Sequence, residues 1–157
     1  MFSWAFQRNF NGRHRPKARR ERGSGETRSE PGNMMTYLAV ALGGALGAMA
    51  RYGISGWVHG ATGTVFPLGT LLVNIIGSFV IGIVLQVSTD RFVVSPEMRL
   101  FLTTGFCGGL TTFSTFSYET LRLIEDQQWA AAGGNTLLNV VLCLGAVFLG
   151  VVVARMV

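Results

Sequence analysis

The chain has 157 residues, 49% of them hydrophobic and 13% charged, and carries a net charge of +5. Eight of its 13 Lys and Arg residues and three of its 8 acids precede Met34, so the whole positive excess lies in a basic tail and the rest is neutral. That distribution argues against a nucleic-acid surface on the folded part, and the apolar remainder points to a membrane.

Residues 1–33 are rich in Arg, Gly, Ser, Asn and Glu and lack apolar periodicity. They are expected to form a disordered basic extension, leaving 34–157 as one transmembrane domain. The run FSWAF is too short for a signal-peptide core and is followed by arginines. Met34 and Met35 stand directly before the first apolar segment, and either suits the start of a shorter chain.

The first apolar segment covers residues 35–58, near the roughly 20 residues that a helix needs to cross the hydrocarbon. Gly43 and Gly47, four apart, allow a neighbouring backbone to approach closely. The second segment, 68–87, contains LGTLLVNIIGSF, in which Thr70, Asn74 and Ser78 share one helical face. An amide at mid-span must be hydrogen-bonded, so Asn74 either joins helices or lines a pore. Ser78 also pairs with Gly82 at packing distance.

The third segment, 98–124, is interrupted by GFCGGLTTFSTF. Unsatisfied backbone in hydrocarbon costs several kcal/mol per group, so a break at Gly105 to Thr111 requires protein or an ion to take up the freed groups. Freed carbonyls suit a hard cation and helix N-termini favour anions. The alternative is a glycine kink sealed by the hydroxyls of Thr103, Thr104, Thr111 and Thr112. Phe113 and Phe116 share a face, and their ring edges carry the positive end of the aromatic quadrupole.

The fourth segment, 129–154, repeats the polar track with Asn135, Asn139 and Cys143, and has the small residues Ala146, Gly150 and Ala154 at packing spacing. The joints HGATGTVFP, STDRFVVSPE and EDQQ are short, so the four spans form one bundle. Cys107 and Cys143 have no Cys or His partners at metal-ligand spacing, and His14 and His59 lack the company catalysis needs, so no enzyme is expected. No acid lies in the first, second or fourth span, whereas a proton-coupled cation exporter needs an embedded carboxylate. Neutral donors and aromatic edges suit a small anion.

From Met35 to its end the chain resembles the Fluc/CrcB fluoride channels. The resemblance rests on GGALGAMARY (43–52), GTLLVNIIGSF (69–79) and GFCGGLTTFSTFSYE (105–119), in that order and spacing. It implies an all-α membrane protein of four transmembrane helices, the third broken at mid-membrane, assembled as an antiparallel, dual-topology homodimer. It further implies passive export of fluoride along two pathways in a cell membrane, the bacterial inner membrane, around a central structural sodium ion. By the same resemblance the Gly108 and Thr111 carbonyls hold the sodium, and Asn74, Phe113 and Phe116 line the pathway. Thr112 and Ser114 are supporting donors and Asn139 belongs to the pathway track, which Cys143 extends. Arg51 and Glu119 stand at the vestibules, where each either meets the ion or snorkels to the interface.

Two other readings compete: a small dual-topology multidrug exporter, and an assembly subunit whose polar residues only pack helices. Topology follows the Lys and Arg near the spans. Without the tail, Arg91, Arg99 and Arg155 oppose Arg51 and Arg122, a slight bias that permits insertion both ways; the tail is expected to skew it.

Overall fold

The structure, a computed structural model, describes residues 34–90 and 94–156; the basic extension lies outside the described residues. In chain order it comprises α1 (Met34–Thr62), α2 (Leu68–Asp90), α3 (Pro96–Leu100), a π-helical segment (Phe101–Cys107), α4 (Gly108–Leu110), α5 (Phe113–Glu125) and α6 (Trp129–Met156). Three of these, α1, α2 and α6, are long and apolar enough to cross a membrane. Where the sequence led to a fourth span broken at mid-membrane, the chain between Pro96 and Glu125 is a series of short helical pieces.

Local chemistry sets the ends. Gly63 takes a left-handed φ of 58° just past α1, and its N–H donates to the His59 carbonyl at 3.0 Å. Ser95 caps α3, accepting from the Met98 N–H at 3.2 Å, with Pro96 at the first helical position. Gln128 N–H closes the end of α5 on the Leu123 carbonyl at 2.8 Å, which turns the chain directly into α6.

Packing relies on small residues, as the spacing implies. A Cβ on Gly43 would overlap the Phe101 carbonyl oxygen, and one on Gly47 would overlap that of Phe106 and lie 2.8 Å from the Leu110 nitrogen. The π-helical segment and α4 therefore rest backbone against backbone on α1. On the other side, α2 meets α6 through Gly82, beneath the Val147 carbonyl, and Gly150, beneath that of Phe79. Outward faces are apolar along whole helices: Leu42, Leu46, Met49 and Trp57 on α1, and Leu137, Leu144 and Phe148 on α6, are all more than half exposed. Such faces need hydrocarbon around them, and the chain is a multi-pass membrane protein.

The break does not fall where the glycines suggested. Residues 105–110 remain helical, π-type to Cys107 and then one α turn, and the chain leaves the helix at Thr111 and Thr112. The physical reason is that Gly105 and Gly109 serve close approach: a Cβ on Gly105 would lie 2.9 Å from the Val40 carbonyl oxygen, and one on Gly109 3.0 Å from the Ala48 nitrogen. Hydroxyls and an amide from another helix open the backbone instead.

Candidate functional site

Thr111 (φ −82°, ψ 156°) and Thr112 (φ −153°, ψ 114°) are extended between α4 and α5. Asn74 of α2 holds this opening from the side. Its Oδ1 accepts the Thr112 N–H at 2.8 Å, while its Nδ2 donates to the Thr112 carbonyl at 3.3 Å. One side-chain amide thus satisfies both backbone groups of a residue that has left the helix, which is what a break at membrane depth requires.

The same Nδ2 donates to Asn139 Oδ1 at 3.0 Å, tying the break to α6. Asn139 Nδ2 donates to the carbonyl and to the Oδ1 of Asn135, each at 3.0 Å. Asn135, fully buried, donates to Thr120 Oγ1 at 2.8 Å, and Thr120 in turn to the Phe116 carbonyl at 2.8 Å. The two asparagine tracks are one network, running from the backbone of Thr112 to that of Phe116. Both N–H donors of Asn74 and both of Asn139 are committed within it.

A groove of about 520 Å³ runs beside this network, bounded by Asn74, Ser78, Thr112, Asn139, Cys143 and the two phenylalanines. The rings of Phe113 and Phe116 stand 5.4 Å apart at 50°, with Phe116 9% exposed and Phe113 79% exposed. No charged side chain is among the groove's lining residues.

Gly108 and Thr111 also line the groove. In a continuous helix the Gly108 carbonyl would accept from the Thr112 N–H, and the Thr111 carbonyl from the Thr115 N–H. Asn74 Oδ1 takes the first donor, and Thr112 Oγ1, the N-cap of α5, takes the second at 3.1 Å. Gly109 and Leu110, between them, also lose their helical donors at this opening, so Gly108 and Thr111, which the sequence resemblance assigned to a cation, belong to a run of four such carbonyls. Among the described residues there is no cluster of three or more His, Cys, Asp or Glu. The hydroxyl seal is partial: Thr103 Oγ1 donates to the Arg99 carbonyl and Thr111 Oγ1 to that of Cys107, each four residues back along the chain.

A wider mouth of about 920 Å³ opens on the far side of the break and brings Arg51, Thr70, Thr115, Glu119 and Arg122 together. Thr112, 7% exposed, lines both cavities and forms the partition between them. Glu119 Oε1 accepts from the Thr70 hydroxyl at 2.8 Å, and its buried Oε2 has no partner among the described residues. Arg122 is paired with Glu125 at 3.2 Å, both exposed. Ser114 is exposed, 3.2 Å from Thr112 Oγ1, and lines neither cavity.

Sequence reasoning missed Thr115 and Thr120. Thr115 shares a 3.0 Å bond with Thr112 Oγ1, legible as a capping spacing of three; Thr120 follows Phe116 by four, but its bond to Asn135 depends on how α5 meets α6. The 49-residue link from Thr70 to Glu119 had no local signal.

Residues 38–151 match the family model described as CrcB-like protein, Camphor Resistance (CrcB). The chain is 50% identical over 122 residues to the fluoride-specific ion channel FluC of Geobacter metallireducens, covering 78% of this chain and 98% of that one. It is 51% identical over the same length to the fluoride-specific ion channel FluC proteins of Geotalea uraniireducens and Pelobacter propionicus, covering 98% and 95% of them. A match across most of the chain, spanning the segments that build the break and its groove, places this protein in the CrcB family of membrane proteins.

Proposed function

We propose that the protein is a passive channel selective for fluoride, working as an antiparallel homodimer. The observation that carries this reading is the groove at the break, walled by hydroxyl, amide and phenylalanine groups without a charged side chain. A small anion that sheds water needs donors, and a fixed positive charge would hold it too tightly to pass. Arg51 lines the mouth and supplies positive charge there, whereas Arg122 is paired with Glu125. Beyond Thr112 the ring edges of Phe113 and Phe116 face the ion with their positive rims. Relatives of about half-identical sequence named as fluoride-specific channels support the choice of anion.

Phe113 stands 79% exposed at the rim of the groove, which suits cover by a second copy; two copies then bring two grooves. In the described bundle Arg99 and Arg155 toward one end are balanced by Arg51 and Arg122 toward the other, which is compatible with antiparallel insertion. An exporter that exchanges protons for cations would need a carboxylate in the groove, and its lining has none.

The Gly108 and Thr111 carbonyls fit a sodium ion, because their helical donors are diverted by Asn74 and Thr112. When bound, the ion supplies positive charge against converging carbonyl dipoles. Exchanging sodium for a large organic cation is therefore expected to lower the melting temperature of the purified protein. Sodium retained through dialysis, measured by elemental analysis, checks the site; protein free of sodium with unchanged melting refutes it.

Purified protein in liposomes is expected to release fluoride rapidly while chloride stays inside, read with ion-selective electrodes. Equal efflux of both anions contradicts the selectivity, and no protein-dependent fluoride efflux returns the chain to a helix-packing assembly subunit.

A further inference from the structure

We infer that the Ser78 hydroxyl is a further fluoride donor on the groove wall, an assignment that rests on the channel reading above. A fluoride ion in the groove has lost water and needs hydrogen-bond donors in its place. The obvious candidates are already engaged. Both N–H groups of Asn74 point to Thr112 and Asn139, and both of Asn139 point to Asn135. A polar wall read from the sequence as four amide donors offers none of them free.

Hydroxyls in helices ordinarily turn back to the carbonyl four residues earlier. Ser88, Thr103, Ser117, Thr120 and Thr136 all do so, at 2.7 to 3.0 Å. Thr111, in the groove itself, does the same. Ser78 lines the groove one turn beyond Asn74 and donates to no acceptor among the described residues. It is half-buried, and its oxygen is not sealed inside the protein. Nor is it the contact that packs α2, because Gly82 makes the approach to α6 and Gly77 the approach to the Thr111 methyl.

A rotatable O–H with no internal acceptor turns toward whatever anion arrives, and back-bonding to a helical carbonyl is the alternative it gives up. Ser78 therefore lies on the track as a donor that costs no broken protein bond, one turn past the asparagine that holds the break. A bond to a charged acceptor is among the stronger hydrogen bonds, so its loss changes ion transfer by about tenfold or more.

The test compares fluoride efflux from liposomes for wild type, Ser78→Ala, Ser78→Thr and, as a control whose hydroxyl is engaged with the Val84 carbonyl, Ser88→Ala. Expected are a fall of about tenfold or more for Ser78→Ala, near wild-type flux for Ser78→Thr, which keeps the hydroxyl, and no change for Ser88→Ala. Size exclusion and melting establish that each variant keeps its assembly. Ser78→Ala conducting as wild type overturns the assignment while leaving the channel reading intact. Ser78→Thr falling as far as Ser78→Ala also overturns it, because side-chain size rather than the hydroxyl would then govern flux. A wild-type protein without fluoride efflux removes both.

Discussion

Asn74→Asp is expected to reduce fluoride flux by at least about a hundredfold while the protein still folds. The substitution is isosteric and keeps the Oδ1 that accepts from the Thr112 N–H. It removes both Nδ2 donors, so the second carboxylate oxygen faces two acceptors, the Thr112 carbonyl and Asn139 Oδ1, with no proton to give either. Ionised, it repels an anion in the groove; protonated, it has one O–H for two acceptors and leaves the other buried and unpaired, at about 1–3 kcal/mol. The break then loses its lock to α6, and the spacing of the groove walls with it. Efflux from liposomes reads the first effect and melting in detergent the second. Wild-type flux with wild-type melting would mean that Asn74 neither fastens the break nor shapes the pathway.

Gly47→Val is expected to prevent stable assembly. Even a single Cβ at this position overlaps the Phe106 carbonyl oxygen and lies 2.8 Å from the Leu110 nitrogen, and both obstacles are backbone that no rotamer change can move aside. Valine adds two methyl groups to that collision, so α1 must separate from the π-helical segment and α4, at a cost of at least about 3 kcal/mol. Gly53, two turns later on the same helix, has nothing within 4 Å of its notional Cβ, and Gly53→Ala is expected to be tolerated. Yield and elution volume on size exclusion separate the two variants. Equal behaviour would show that α1 does not pack on the broken span as described.

Much of this architecture is legible in the order of residues. Segment length and hydrophobicity determine how many times the chain crosses a membrane, because a helix in hydrocarbon has no other way to satisfy its backbone. Four-residue spacing places Gly43 with Gly47 and Thr70 with Asn74 and Ser78, since helical geometry is local. The run GFCGGLTTFSTF announces that the third span is irregular, and three motifs in order point to the family.

Tertiary structure decided the rest. Glycines at 105 and 109 looked like the hinge, yet they are helical and packed on α1, because glycine equally serves a bend or a close approach and only the neighbour distinguishes them. The opening falls at Thr111 and Thr112 because an amide 38 residues earlier in the chain captures the Thr112 N–H. Asn74 and Asn139 bond to each other across 65 residues, which turned two apparent donor tracks into an internal brace. That Ser78 donates to no acceptor among the described residues, while Thr70 reaches Glu119, is a property of the assembled walls. Helix periodicity is written by neighbours in sequence; hydrogen-bond partners at membrane depth are chosen by neighbours in space, where each polar group must find one.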